Sequence, residues 1–94
     1  MANNKFRYSR AVGLSYEEGA FAPAVTVKGE TFQADDIVKI AMRYDIPVVH
    51  DPDLSRTMSE LEVDSEIPEE LFHAVAVLLD NIEKNLQKKH TKKV

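Results

Sequence analysis

From Arg10 to Tyr16 the chain alternates, with Ala11, Gly13 and Ser15 on one face and Val12, Leu14 and Tyr16 on the other. A period of two is the strand signal, and the larger apolar face, Val12-Leu14-Tyr16, belongs inward. Glu17-Glu18-Gly19 marks a turn, Ala22-Pro23 keeps the chain extended, and Ala24 to Lys28 forms a second strand around Val25 and Val27. So short a link makes the two strands an antiparallel pair. Gly29 then breaks the strand. From there the period changes to three or four: Ala34, Ile37, Ile40 or Ala41, and Tyr44 make the buried stripe of a helix capped by Thr31, with Asp35 and Asp36 near its positive end. Asp45 is its exit, a position that glycine occupies at lower cost.

The stretch Asp45-Ile46-Pro47-Val48-Val49-His50-Asp51-Pro52 is the hinge of the pattern. Pro47 ends the helix, and Ile46, Val48 and Val49 read as a short buried strand. Asp51-Pro52 reads as an N-cap followed by proline at the first helical position. Leu54, Met58 and Leu61 place a short helix over roughly 52–60, and Val63 starts a brief edge segment. Pro68 opens the last helix, whose dipole Glu66, Glu69 and Glu70 complement. Its broad stripe holds Leu71, Val75, Leu78 and Ile82, with Phe72, Leu79 and Leu86 beside them. The order β-β-α-β-α-α predicts an α+β fold: a small mixed β-sheet of three to four strands covered by helices in two or three layers. Residues 1–9 form a flexible lead-in, 10–86 the domain and 87–94 a basic tail.

Composition narrows the function more than it names one. A chain of 94 residues, 44% hydrophobic and 30% charged, is one domain of ordinary globular character. There is no cysteine, hence no disulfide, thiolate metal site or thiol nucleophile, which suits a cytoplasmic location. The longest apolar runs, such as Ala74 to Leu79, fall far short of the ~20 residues of a membrane span, and no apolar signal core follows Met1-Ala2-Asn3-Asn4-Lys5. The net charge of −4 conceals a basic end, Lys88-Lys89-His90-Thr91-Lys92-Lys93, on an acidic body. Such an end is commonly a solvated, frayed terminus, and its alternative is contact with RNA or anionic lipid.

Candidate chemistry is sparse. His50 beside Asp51 and Asp53 has the composition of a base with a carboxylate partner, the basis of a hydrolase-like alternative. Neighbours along a strand point to opposite faces, however, so His50 and Asp51 need not meet. His73 has no second metal ligand at helical spacing other than Glu69 and Glu70, which the helix dipole explains. Gly13, Gly19 and Gly29 open no phosphate loop, and none of the serines sits in a nucleophile elbow. Basic residues are not interleaved with aromatics as on a nucleic-acid-binding face. The expectation by elimination is a protein-binding module with no catalytic residue, no metal, no cofactor and no small-molecule substrate.

A set of blocks in fixed order says more. Ala11-Val12-Gly13-Leu14-Ser15-Tyr16, Ala22-Pro23, Val27-Lys28-Gly29, Ile46-Pro47-Val48-Val49, Asp51-Pro52-x-Leu54-Ser55-Arg56, Glu66-Ile67-Pro68-Glu69-Glu70-Leu71-Phe72 and Ala74-Val75-Ala76 together resemble the cytoplasmic C-terminal domain of the FlhB/YscU family. Those proteins are export-gate components of flagellar and virulence type III secretion systems. The resemblance runs from about Arg10 to Ile82. It implies membrane helices upstream in full-length members, and a domain that cuts its own backbone at an Asn-Pro-Thr-His motif before the first strand as export switches from early to late substrates. Here Phe6-Arg7-Tyr8-Ser9 stands in that place, and Asn3-Asn4 is followed by Lys5 rather than proline, so no autocleavage is expected. The chain resembles the post-cleavage fragment, as a free, soluble FlhB-like form. What the resemblance implies is a non-enzymatic partner of export-gate components and flagellar export substrates that substitutes for, or modulates, the cleaved domain of a membrane-bound relative. It also implies an apolar contact patch at Ala22, Pro23, Ala76 and Leu79, to which exposed Phe21 is added. Ala76 and Leu79 lie on or beside the buried stripe, so for them core packing is the competing reading.

Overall fold

A computed structural model describes the backbone over residues 5–93 and the side chains over residues 5–82. β1 (Arg10–Ser15) and β2 (Ala24–Glu30) form the expected antiparallel pair, with Arg10 opposite Glu30 and Ala11 opposite Gly29. The register slips between Gly13 and Leu14, so one extra residue of β2 is accommodated there as a bulge. The turn between the strands is closed by the Ala20 N–H donating to the Glu17 carbonyl at 2.9 Å, and Gly19 takes φ +86° within it.

The two faces of the hairpin bury different partners, as the alternation dictates. Ala11 packs with Ala34 and Val38 of α1 (Phe32–Arg43), with Ile37 and Tyr8 closing that cluster. Val12 and Leu14 pack on the opposite side, against a cluster of Ala22, Met58, Ile67 and Val75 with Leu54, Leu61, Leu71 and Phe72 around it. α2 (Pro52–Met58) and α3 (Phe72–Lys93) supply that second cluster, a 3-10 turn (Glu69–Leu71) leading into α3. The result is three layers: α1, hairpin, then α2 with α3. Lys28 ties β2 to the end of α2 by donating its Nζ hydrogens to the carbonyls of Ser59 (3.1 Å) and Leu61 (2.7 Å).

Helix ends follow local chemistry closely. The Asp51 carboxylate accepts the Leu54 N–H at 3.1 Å, with Pro52 at the first helical position. At the end of α1, Asp45 has φ 59°, the Asp45 N–H donates to the Met42 carbonyl and the Ile46 N–H to Ala41 at 2.8 Å, a left-handed helix exit. Thr31 stands at the N-cap of α1, but its side chain makes no cap hydrogen bond. Its φ is 51°, and its N–H instead extends the hairpin ladder to the Ser9 carbonyl at 3.0 Å. The inward stripe of α1 is Ala34, Ile37, Val38 and Ala41, so of the two alternatives Ala41 and not Ile40 faces in; Tyr44, expected inside, is exposed, as is Tyr16 beyond the end of β1.

Two further expectations are corrected. The third strand over Ile46–Val49 is absent: among the described residues the sheet has two strands, and Ile46, Val48 and Val49 are 54%, 43% and 47% exposed. The edge of β2 that this run might have joined is already occupied. The Val25 N–H donates to the Ser65 carbonyl and the Asp64 N–H to Val25, with a single bridge at Ala24 and Glu66. That is the brief edge segment foreseen after Val63. The lead-in is also less loose than expected, since the main-chain N–H groups of Arg7 and Tyr8 donate to the Asp35 carboxylate at 2.9–3.0 Å. Phe6 packs edge-on to Phe32, ring centroids 6.1 Å apart.

Candidate functional site

The loop between the strands carries Phe21-Ala22-Pro23, and the fold separates these three neighbours. Ala22 is turned into the core, 5% exposed beside Met58, Ile67 and Val75. It is therefore a packing residue and not the contact residue anticipated. Pro23 is half-buried, and its carbonyl accepts the Ile67 N–H at 2.9 Å, which holds the loop down. Phe21, pinned between, points outward at 76% exposure, and its ring meets the Phe72 ring edge-to-face at 5.9 Å.

α3 extends this aromatic contact into a row. Val75 is its inward anchor at 2% exposure, and Leu71, Leu78 and Ile82 are half-buried along the same side, as the stripe requires. Ala76 and Leu79 do not share that burial; both are exposed. Phe72, Ala76 and Leu79 are spaced i, i+4 and i+7, so they line one side of the helix, with Phe21 over its first member. The surface is thus Phe21, Phe72, Ala76 and Leu79, with Pro23 at its margin. Phe72 was missed as part of it, although its place one helical turn before Ala76 was a usable signal. The acidic residues Glu17, Glu18, Glu69 and Glu70, all exposed, flank it in the chain.

The residues with catalytic composition are not brought together. The Asp51 carboxylate caps α2, Asp53 pairs with Arg56 at 2.9 Å, and the His50 ring lies 6.5 Å from that of Tyr8. Among the described residues no hydrogen bond joins His50 to either carboxylate, and no group of three or more His, Asp or Glu residues is placed to hold a metal ion. His73 is exposed on α3. No helix of the described residues is long and apolar enough to cross a membrane. The basic end of the chain continues α3 as backbone helix to Lys93, but its side chains lie outside the described residues, as does the RNA-contact alternative that rests on them.

The fold has counterparts among solved structures. The cytoplasmic domain of FlhB from Shewanella putrefaciens superposes with a TM-score of 0.81 at 33% identity, covering 85% of this chain and 67% of that one. The PscU C-terminal domain gives 0.73 at 32% identity, over 78% of this chain and 95% of its own. This is the class of export-gate C-terminal domains. A family model described as the FlhB, HrpN, YscU, SpaS family matches residues 8–82, and the chain belongs to that family. The flagellar biosynthetic protein FlhB of Helicobacter pylori is 33% identical over 85 residues, which cover 89% of this chain and 24% of the relative. YlqH of Bacillus subtilis is 38% identical over 76 residues, covering 80% of this chain and 82% of YlqH. The chain thus spans about a quarter of the Helicobacter FlhB and most of YlqH.

Proposed function

We propose that this chain is a cytoplasmic, non-enzymatic interaction domain of the flagellar or type III export apparatus. It contacts export substrates or gate components, and it substitutes for or modulates the C-terminal domain of a membrane-bound FlhB. The observation that carries the reading is the row of exposed Phe21, half-buried Phe72 and exposed Ala76 and Leu79 on a domain of this family. Phe72 is anchored in the core cluster, while Phe21, Ala76 and Leu79 leave apolar surface in solvent beside it, the character of a contact site. An export substrate reaches the gate unfolded, so it binds at the cost of ordering, and affinities on the order of micromolar suit a cargo that must move on. Self-cleavage has no support in the residues: Phe6-Arg7-Tyr8-Ser9 provides neither the asparagine amide nor the proline bond, and Asp35 holds its backbone in place.

The test is binding of an unfolded early flagellar substrate to the purified chain, measured by calorimetry or fluorescence anisotropy. Phe21→Asp with Leu79→Asp abolishes binding while stability stays within roughly 1 kcal/mol of the parent, as two exposed substitutions allow. Undiminished binding by a folded double variant refutes the surface. Unfolding of that variant would show that the row is core.

A further inference from the structure

The row Phe21, Phe72, Ala76 and Leu79 lies in two stretches of chain that carry no cationic side chain of their own. From Ala11 to Val27, and again from Thr57 to Glu83, there is no lysine or arginine. The fold brings acidic residues of both stretches beside the row. Glu17 and Glu18 stand in the turn that leads into Phe21, closed by the Ala20 N–H on the Glu17 carbonyl. Glu69 and Glu70 belong to the 3-10 turn that leads into Phe72. Asp64 and Glu66 are held next to the Phe21 loop by main chain. The Asp64 N–H donates to the Val25 carbonyl at 2.7 Å, and Glu66 bridges to Ala24. All six residues are exposed, and among the described residues none of them is in an ion pair; the pairs there are Arg10 with Glu30 and Arg56 with Asp53. Lys28, the first cation after the loop, has its ammonium committed to the carbonyls of Ser59 and Leu61.

We infer that the segment this row receives is a polypeptide stretch whose large apolar side chains are flanked by lysine or arginine. The inference rests on the reading of the row as a contact surface and names the chemistry of what it contacts. Like charges gathered at one end of a small domain repel one another and cost stability. The dipole of α3 accounts for Glu69 and Glu70, but Glu17 and Glu18 lie on no helix. Cations on a bound segment relieve that repulsion while its apolar centre covers Phe21, Ala76 and Leu79. Each exposed pair is worth little alone, so the selectivity comes from several together and from the field of one sign that speeds encounter with a basic segment. An apolar patch by itself accepts any hydrophobic segment; the acidic surround turns away acidic ones. It equally turns away nucleic acid and an anionic membrane at this face.

The test is fluorescence anisotropy of the full chain with three short synthetic peptides. They share one centre of phenylalanine and leucine, flanked on each side by two lysines, two serines or two glutamates. At low salt the lysine peptide binds roughly tenfold more tightly than the serine peptide, and the glutamate peptide binds most weakly. In about 0.5 M salt the three converge, because screening shortens the reach of exposed charges. They converge likewise on the variant Glu17→Gln, Glu18→Gln, Glu69→Gln and Glu70→Gln, which removes charge at nearly constant volume. The salt comparison needs only the parent chain, so it decides the matter even where a variant fails to fold. Phe21→Ser with Leu79→Ser, which alters no charge, loses all three peptides. Equal binding of the three peptides at low salt, lost in the serine variant, overturns the inference and leaves the contact surface standing. Undiminished binding of the lysine peptide by the serine variant overturns both. Absence of lysine-peptide binding to the parent also overturns the inference. So does self-association of the parent that the glutamine variant abolishes, since the occupant is then the lysine-rich end of a second copy.

Discussion

Ile67 is the residue on which the two halves of the larger core meet, and replacing it by alanine tests the packing scheme. Its side chain is 3% exposed among Ala22, Met58 and Val75, so it joins the inter-strand loop to α2 and α3. Removing three buried carbons at about 0.8 kcal/mol each forfeits about 2.4 kcal/mol of transfer free energy. The cavity adds to this, because the surroundings collapse only partly, giving a total of about 2–5 kcal/mol. The main-chain bond to Pro23 is retained by alanine, so the loss reports side-chain packing. A domain of this size has about 5–15 kcal/mol in all, and each kcal/mol moves Tm by roughly 4–8 °C. Urea unfolding followed by circular dichroism should show a lower midpoint with unchanged slope. Met42→Ala, on the exposed side of α1, is the control and stays within about 0.5 kcal/mol. An Ile67→Ala loss below about 1 kcal/mol would refute the reasoning.

Three further outcomes follow from other contacts. Asp35→Ala removes the acceptor of the Arg7 and Tyr8 N–H groups and lowers stability by about 1–3 kcal/mol; amide exchange at both residues accelerates, as does tryptic cleavage after Arg7. Asp45→Gly relieves a left-handed residue at the exit of α1 and raises stability by up to about 1 kcal/mol in the same urea assay. Prolonged incubation at neutral pH leaves the chain at a single intact mass; two fragments meeting near Phe6 would contradict the absence of self-cleavage.

Much of this fold is legible in the sequence because local rules decide it. The alternation over Arg10–Ser15 put Val12 and Leu14 inward, and both pack on the larger core; Ala11, on the other face, proves to be core as well, against α1. Asp51-Pro52 started α2 and Asp45 ended α1, since caps are chosen by the residues that make them. What escaped depended on partners distant in sequence. Val48 and Val49 have strand propensity, but a strand needs a neighbour, and propensity does not supply one. The anchoring of Arg7 and Tyr8 depends on a carboxylate 28 and 27 residues away, invisible to any local pattern. The surface was half legible. Phe21 was read as exposed and is so, whereas Ala22 beside it is core because the loop turns at that residue. On α3 the inward row Leu71, Val75, Leu78 and Ile82 is buried or half-buried, whereas Ala76 and Leu79 beside it are exposed.

Genetic complementation tests most directly the proposal that this chain substitutes for or modulates the C-terminal domain of a membrane-bound FlhB. The measurement is secretion of flagellar substrates by cells whose membrane-bound FlhB has been truncated before its C-terminal domain, with this chain supplied separately. The account predicts restored secretion with the parent chain and loss of that restoration with Phe21→Asp and Leu79→Asp at equal protein level. Failure of the parent to alter secretion, in the truncated strain or alongside intact FlhB, would contradict it.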